Sequence, residues 1–160
     1  MCKLISSKLL KTEARNFRDA ILKVNENGGF SADSFHQDKM DRFPNDCCDD
    51  VSDLFSQYLF EKYEICCYKV RGSYDDERLN IPCYHVWLEI EGLIIDLTGD
   101  QFLNDSALKV KCSDVYVDEE GAFHRQFKDK ENEISCGIEN YSGICRERMN
   151  RIYKLIIKYM

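Results

Sequence analysis

Two runs rich in aliphatic residues lie on either side of Glu91-Gly92, and this pattern predicts a β-hairpin over residues 84–98. Gly92 supplies the positive φ that a tight turn requires. Pairing Ile90 with Leu93 separates an apolar face from a mixed face, whereas a slip of one residue would scramble the two. The apolar face then contains Val86, Leu88, Ile90, Leu93, Ile95 and Leu97, and the mixed face contains His85, Trp87, Glu89, Ile94, Asp96 and Thr98.

The mixed face of this hairpin brings a histidine near a carboxylate. In the predicted register His85 and Asp96 are diagonal neighbours whose Cα atoms lie about 7 to 8 Å apart, a separation that their side chains can bridge with a hydrogen bond. An Asp that accepts from one imidazole nitrogen fixes the tautomer of the ring and stabilises its protonated form. The pair is therefore a candidate base with its orienting carboxylate. The alternative is a partly exposed histidine beside a carboxylate at a sheet edge, without a catalytic role.

Three other segments have the apolar spacing of amphipathic helices. The first covers residues 7–25 and stops at Asn27-Gly28-Gly29, and the last covers residues 144–160. Between them, a wide apolar stripe over residues 50–63 follows a cluster of Asn and Asp residues of the kind that caps a helix. A buried helix is therefore expected to begin near Cys48.

The remaining segments have less regular patterns, but their order completes a fold class. Strands are expected over residues 63–71, 108–112 and 115–117, an edge strand over 122–127, and loops over 30–46, 73–82 and 128–143. This order predicts an α+β fold in which an antiparallel sheet carries a central helix, with a C-terminal helix packed against the sheet. The length of 160 residues and the hydrophobic share of 44% fit one domain over residues 1–160.

The charge and hydropathy of the chain narrow its possible partners. With 22 basic and 29 acidic residues the formal net charge is −7, which argues against a nucleic-acid partner because phosphate binding relies on clustered Lys and Arg. No run approaches the roughly 18 apolar residues of a membrane span, and the start of the chain lacks the roughly 7 to 15 residue apolar core of a signal peptide. We therefore expect a cytoplasmic protein with no membrane partner. The sequence leaves the oligomeric state open.

The nine cysteines are expected to be reduced thiols. Their number is odd, and Cys47-Cys48 and Cys66-Cys67 are adjacent pairs, which suit a disulfide framework poorly. A structural zinc site is the alternative use, because Cys83 and His85 are close in sequence. No C-x-x-C spacing occurs, so we expect neither a metal nor another cofactor.

A nucleophile that could act with the histidine is present near the start of the central helix. The unpaired N–H groups and the positive dipole at a helix N-terminus favour a thiolate over a thiol. Cys47 and Cys48 both occupy such a position. Either one, followed along the chain by His85 and Asp96, supplies the nucleophile, base and orienting carboxylate that thiol-dependent acyl chemistry requires.

The residues around these positions also resemble a known family. The matching residues are Phe43-Pro44, Cys48, Asp50, Leu54, Tyr58-Leu59, His85-Val86-Trp87-Leu88-Glu89, Gly92-Leu93-Ile94-Ile95-Asp96, Thr98 and Asp100-Gln101-Phe102. Over about residues 43–102 they resemble bacterial transglutaminase-like members of the papain-like cysteine hydrolases, with a fainter echo at Phe123-His124 and Phe127. The resemblance implies Cys48 as the nucleophile at the N-terminus of a central helix, and His85 and Asp96 on adjacent antiparallel strands as base and orienter.

The resemblance further implies the chemistry. We expect a cysteine hydrolase of the thiol-protease type that cleaves a peptide, isopeptide or other amide bond of a protein or peptide substrate through a thioester. A transglutaminase or deamidase acting on glutamine side chains would share the first half-reaction and differ in the acceptor. A binding or scaffold domain that keeps the fold without catalysis is the alternative from another class.

The surroundings of Cys48 depart from the family pattern, which usually has Gly directly after the cysteine. This chain has Asp49 there, with Asp46 and Asp50 close by, and three carboxylates would raise the pKa of a nearby thiol and suppress its activity. The family implies the backbone N–H of Cys48 as the first oxyanion-hole donor, and the second donor is not identified.

Other polar and aromatic residues are weaker candidates for the site. Gln101 is interpreted as a surface amide that caps a strand end, and Gln37 lies too far upstream to match the Gln that precedes the cysteine in papain. Trp87 is either a wall of the cleft or a core residue. His36 and His124 are interpreted as loop histidines.

Overall fold

The computed structural model describes residues 5–33 and 35–160 and has an α+β architecture. Met1–Leu4, which include Cys2 and most of the segment tested for a signal peptide, lie outside the described residues. Within the described part, three α-helices accompany a five-stranded antiparallel sheet of order β4-β3-β2-β1-β5. The elements are α1 (Ser7–Glu26), α2 (Cys48–Tyr63), β1 (Cys67–Asp76), β2 (Ile81–Ile90), β3 (Leu93–Asp96), β4 (Tyr116–Asp118), β5 (Lys128–Ser135) and α3 (Gly143–Ile157).

The three predicted helices are confirmed, and local signals explain where they begin and end. The side chain of Ser6 accepts the N–H of Leu9 at 3.2 Å and caps the start of α1. The central helix α2 begins at Cys48 and ends where Glu64 takes a left-handed conformation. The C-terminal helix α3 packs chiefly against α1 and α2, whereas the sequence suggested packing on the sheet. The helices therefore form a layer of their own on one face of the sheet.

The predicted hairpin is confirmed in its register. β2 and β3 pair Leu88 with Ile95 and Ile90 with Leu93, and Gly92 in the turn has a φ of 82°. The apolar face joins the core beneath α1 and α2, because Leu88 and Ile95 belong to the same buried cluster as Phe55 of α2. The faces of the hairpin are thus divided as the alternation required.

Two charged segments that were expected to be loops are strands. Residues 73–76 extend β1 past Gly72, and their partners open β2 at Ile81. Residues 128–135 form β5, the edge strand beside β1, and most of its side chains are exposed. An edge strand facing water needs no apolar alternation, and its charges discourage further pairing. The hydrophobic pattern therefore predicted a strand in neither segment.

Two strand predictions after the hairpin are wrong, while the third holds. Residues 108–112 form an irregular loop, in which the ammonium of Lys111 donates to the carbonyl oxygens of Leu108 and of Phe102 before the loop. Residues 122–127 contain a 3₁₀ turn at His124–Gln126 instead of an edge strand. The strand expected near residues 115–117 is confirmed as β4. The buried apolar residues of these two segments pack against a face of the sheet without pairing with its strands; they are Leu108, Cys112, Phe123 and Phe127.

The irregular segment between β3 and β5, residues 97–127, contains the short strand β4 as its only strand and closes a second core on the face of the sheet away from the helices. That core contains Val70, Tyr74, Trp87, Ile94, Phe102, Leu108, Cys112, Phe123 and Phe127. Gly72 allows the close packing, because a Cβ atom there would lie 2.7 Å from Cβ of Phe127. The side chains of the hairpin's mixed face are therefore buried, except for Glu89, which is partly exposed.

One disulfide corrects the expectation that every cysteine is a reduced thiol. Cys66 and Cys136 are joined, with their Cα atoms 4.6 Å apart. The antiparallel pairing of Cys67 with Ser135 puts the two residues just beyond it opposite each other, which is why the bond can form. The free thiols among the described residues are Cys47, Cys48, Cys67, Cys83, Cys112 and Cys145.

Candidate functional site

The hairpin brings His85 into hydrogen-bond contact with Asp96, as its register predicted. Nε2 of His85 donates to Oδ2 of Asp96 at 2.7 Å, and both side chains are fully buried. Oδ1 of the same carboxylate accepts the backbone N–H of Thr98 at 3.0 Å. The carboxylate thus fixes the tautomer of His85 and leaves its Nδ1 available to another group.

The buried pair favours the charged form of both partners. Burial by itself lowers the pKa of His85, but the charge and hydrogen bond of Asp96, with a smaller contribution from Cys48, raise it to about 9. Burial also works against ionisation of Asp96, yet the charge of His85 and hydrogen bonds from two histidines hold the pKa of this carboxyl well below its usual range. The site therefore stabilises an imidazolium beside a carboxylate.

Cys48 lies beside this histidine at the first position of α2. The pairing of β2 with β3 ends at Leu88 and Ile95, so His85 lies beyond the last paired residues of the hairpin. There the partly buried thiol of Cys48 is near enough to raise the pKa of His85. Its sulfur does not complete a hydrogen bond of normal geometry, and Nδ1 of His85 is buried without a partner. The one unused nitrogen of the ring is the one left for the thiol.

The start of α2 also offers backbone donors to a developing negative charge. The first backbone bond of the helix runs from the N–H of Val51 to the carbonyl of Cys47 at 2.9 Å. The N–H groups of residues 48–50 precede this bond and have no acceptor within the helix. They add to the positive end of the helix dipole next to the thiol.

The structure separates the two neighbouring cysteines that the sequence left as alternatives. Cys47 is fully buried, and burial raises the pKa of its thiol to about 12. Cys48 is partly exposed and lies beside His85. Only Cys48 combines access with a neighbouring base.

The three carboxylates that were expected to suppress Cys48 are each paired with a cation. Asp49 lies 3.2 Å from Lys69, and Asp46 lies 3.3 Å from Arg42. Asp50 contacts two cations, Arg148 at 2.7 Å and Lys39 at 3.0 Å. Lys69 of β1 and Arg148 of α3 are distant in sequence, so the residues near Cys48 could not reveal them, whereas Lys39 and Arg42 lie shortly before α2.

Aromatic side chains enclose the imidazole of His85. The centroid of its ring lies 4.9 Å from Phe102, 5.5 Å from Phe127 and 5.7 Å from Trp87. Trp87 is fully buried, and its indole N–H donates to Glu89 at 3.1 Å, which identifies it as a core residue. The polar pair is therefore held in a rigid apolar shell.

A second histidine that sequence reasoning assigned to a loop belongs to this cluster. Nε2 of His124 donates to Oδ2 of Asp96 at 2.9 Å, and its side chain is fully buried. His36, the other histidine interpreted in this way, is exposed. The aromatic residues Phe123 and Phe127 around His124 were the available signal, since they indicated a buried segment.

The glutamine candidates lie elsewhere. The side-chain amide of Gln101 donates to the carbonyl of Thr98 at 3.0 Å and so caps the end of β3, as expected. Gln37 is exposed on the arm before α2. The second oxyanion donor is therefore to be sought among the backbone N–H groups at the start of α2.

One group of side chains could in principle hold a metal ion. Donor atoms of Asp96, Cys112 and His124 lie within 4.8 Å of one another, and all three residues are buried. Both oxygens of Asp96 already accept hydrogen bonds, and burial raises the pKa of the Cys112 thiol, so a thiolate ligand is disfavoured. The group contains neither Cys83 nor His85, on which the zinc alternative depended. We therefore assign no metal to it.

A surface groove of about 350 Å³ lies near the start of α2, and neither Cys48 nor His85 is among the residues that line it. Asp49 and Val86, the chain neighbours of Cys48 and His85, form part of its wall. The full lining is Asp49, Lys69, Arg71, Val86, Glu131, Asn132 and Glu133. The groove is thus polar and carries charges of both signs.

Comparison with known proteins does not add to this picture. No family model, curated protein or solved structure matches the chain. Among the described helices, none has the length and apolar character needed to cross a bilayer.

Proposed function

We propose that this protein performs thiol-dependent acyl chemistry, with Cys48 as nucleophile, His85 as base and Asp96 as the carboxylate that orients it. One observation carries the proposal. Nε2 of buried His85 is held by Asp96, while its Nδ1 has no partner and the Cys48 thiol lies beside the ring. A buried ring nitrogen without a hydrogen-bond partner lowers the stability of the fold, so its presence calls for an explanation, and a role in proton transfer provides one.

The proposed reaction follows from the positions of these groups. Nδ1 of His85 takes the proton of Cys48, and the thiolate adds to the carbonyl carbon of an amide. The N–H groups at the start of α2 bind the oxyanion that forms. The C–N bond then breaks, and His85 returns the proton to the leaving amine. Water, deprotonated by His85, hydrolyses the thioester and releases a carboxylic acid and the free Cys48 thiol.

We propose a protein or peptide as the substrate. Small-molecule pockets are mostly apolar, whereas the groove near the start of α2 is lined by charged and polar side chains that suit a peptide. Transglutamination or deamidation of glutamine side chains would form the same thioester and differ only in the group that resolves it. The likeness to transglutaminase-like cysteine hydrolases is a proposal on the same footing.

Cytoplasmic action is also a proposal. A thiol nucleophile must be reduced to act, and Cys48 is free. Disulfide bonds such as Cys66–Cys136 persist mainly in oxidising compartments, which argues against the cytoplasm. Trapping cellular thiols with an alkylating agent before lysis would decide, because cytoplasmic glutathione should keep this pair substantially reduced.

Alkylation of the thiols tests the proposed nucleophile. At neutral pH, iodoacetamide should modify Cys48 well before Cys145, although Cys145 is more exposed, and before the buried Cys47. Mass spectrometry of peptides after short exposures gives the rate at each position. A His85→Gln variant should reduce the rate at Cys48 to that at Cys145. Labelling that follows exposure alone, with no advantage of Cys48, would contradict the proposal.

A scaffold without catalysis is the second candidate, and one observation favours it. His85, Asp96 and His124 are fully buried, so their hydrogen bonds could serve the uniqueness of the core alone. In that case substituting His85 would lower stability and leave the alkylation rate of Cys48 unchanged. The same experiment therefore separates the two functions.

A further inference from the structure

Asp96 is shared by two histidines that reach it from different parts of the chain. His85 on β2 and His124 in the 3₁₀ turn both donate from Nε2 to the same oxygen, Oδ2, at 2.7 Å and 2.9 Å. Oδ1 accepts the N–H of Thr98. Three donors thus hold the carboxylate plane in a dry site, where an unpaired oxygen would be costly.

The ring of His124 is held in place independently of Asp96. It packs against Tyr116 at 4.9 Å, Phe123 at 5.0 Å and Trp87 at 5.1 Å between ring centroids. Its Nδ1 is buried and has no hydrogen-bond partner, so its contact with Asp96 is the polar interaction that this side chain makes. A hydrophobic ring would fill the same space without the donor.

We propose that His124 is a positioning residue of the site, which fixes the Asp96 carboxylate and limits how tightly that carboxylate holds the proton on His85. The inference deepens the proposed function and rests on it for the catalytic consequence. Two donors on one oxygen compete for the same electron density, so each bond is weaker than it would be alone. A weaker hydrogen bond at Nε2 makes the imidazolium more acidic, so that His85 gives up its Nδ1 proton to a leaving group more readily.

Few other charged or titratable groups lie close enough to weaken the hydrogen bond between His85 and Asp96. The remaining neighbours of His85 are the aromatic rings described above. The titratable groups near this cluster are Cys48 beside His85, Cys112 beside Asp96 with Asp100 close to it, and Tyr116 and Glu120 near His124. None of these replaces the N–H of His124 as a donor to Oδ2.

Imidazole NMR tests the proposal directly, because the chain has only three histidines. Nitrogen-15 labelled protein should show two buried rings with protonated Nε2 and one exposed ring, His36. In His124→Phe, the Nε2–H signal of His85 should move further downfield and the titration of His85 should shift upward by about one pH unit, since its competitor for Oδ2 is gone. His124→Gln, whose amide can donate to the same oxygen, should return both values toward those of the original protein.

The result that overturns the proposal is equally specific. A His85 signal and titration that are unchanged in His124→Phe would mean that His124 only fills space, and a downward shift would mean that it does not compete with His85 for Asp96; either result refutes the proposal. Thermal unfolding of each variant is followed alongside, and His124→Met replaces the Phe variant if that does not fold. Iodoacetamide labelling of Cys48 is recorded separately. Inert Cys48 would refute the proposed function while the NMR still decides the role of His124.

Discussion

Asp96 connects three parts of the chain through one carboxylate. Its contact with His85 could be predicted, because the apolar alternation of the hairpin admits one register and that register makes the two residues diagonal neighbours. Its contact with His124 could not, because that residue comes from an irregular segment whose path no periodicity defines. The cations that neutralise Asp49 and Asp50 could not be predicted for a different reason, because Lys69 and Arg148 are far from them in sequence and reach them only through tertiary packing.

Replacing Asp96 by Asn tests whether this carboxylate orients the base. The amide keeps the size of the side chain but removes the charge and cannot accept at the same atom that it uses to donate. Labelling of Cys48 by iodoacetamide should slow by between about tenfold and 10⁴-fold, the upper bound being the loss seen on the matching change in a serine protease. Glu89→Gln is the control, because Glu89 lies on the same face of the hairpin, on the neighbouring strand β2, and its carboxylate accepts the indole N–H of Trp87 instead of contacting His85. Equal effects of the two substitutions would refute the assignment.

The ionised pair also predicts how stability depends on pH. The pKa of His85 rises from 6.5 to about 9 on folding, so its contribution is fully present below pH 6.5 and is lost as the pH rises through 9. The pKa of Asp96 is lowered, so its contribution is present above pH about 4 and is lost as the pH falls below that value. The free energy of unfolding should thus be greatest between pH about 4 and 6.5, and lower by about 3 kcal/mol at pH 9.

Urea unfolding at a series of pH values measures this dependence. The fall between pH 6.5 and 9 should be largely absent from His85→Gln, which cannot titrate, whatever that substitution costs in overall stability. If the free energy of unfolding falls by the same amount in both proteins, groups other than His85 cause the pH dependence.

At the scale of elements, the start of α2 depends on ion pairs with distant segments. Arg148 of α3 contacts Asp50 at 2.7 Å and Asp38 at 2.7 Å, and both carboxylates are buried. The helices themselves were predictable because each buries an apolar stripe. The edge strand β5 was not, because its charged side chains face water. The part of β1 after Gly72 was not either, because its two buried positions are Tyr74 and Asp76, so burial alternates there without an apolar alternation in the sequence.

Removing Arg148 should destabilise the protein through the carboxylates that it leaves behind. Arg148→Ala leaves Lys39 near Asp50 and Arg151 near Asp38, so the loss should fall near or below the usual range for a broken buried pair, at about 2 to 3 kcal/mol. Urea denaturation measures it. Arg146→Ala is the matched control, because Arg146 pairs with Glu139 at the exposed surface and should contribute less than about 1 kcal/mol. Similar losses for both variants would show that the network does not secure α2.

At the scale of the whole molecule, the disulfide encloses the segments that carry the two histidines and Asp96, whereas Cys48 at the start of α2 lies outside the loop that it closes. The 70-residue separation between Cys66 and Cys136 spans the hairpin and the irregular segment, and therefore includes His85, Asp96 and His124. Sequence alone could not identify this bond, because the pairing of nine cysteines has many solutions. It became evident only once β5 was placed beside β1.

Opening this loop should lower stability without dismantling the site. In the chain-entropy treatment, a cross-link over 70 residues restricts the unfolded state by about 4 kcal/mol, which is the expected loss for the double variant Cys66→Ser and Cys136→Ser. The strand pairing of β1 with β5 remains, so His85 should still contact Asp96, and Cys48 should still react faster than Cys145. Urea denaturation gives the loss, with Cys145→Ser, an exposed free thiol, as the control. Treating the original protein with a reductant should reproduce the double variant and leave the double variant itself unaffected. A double variant as stable as the original protein, or one in which Cys48 lost its advantage, would contradict the view that the disulfide stabilises a site formed independently by the strands.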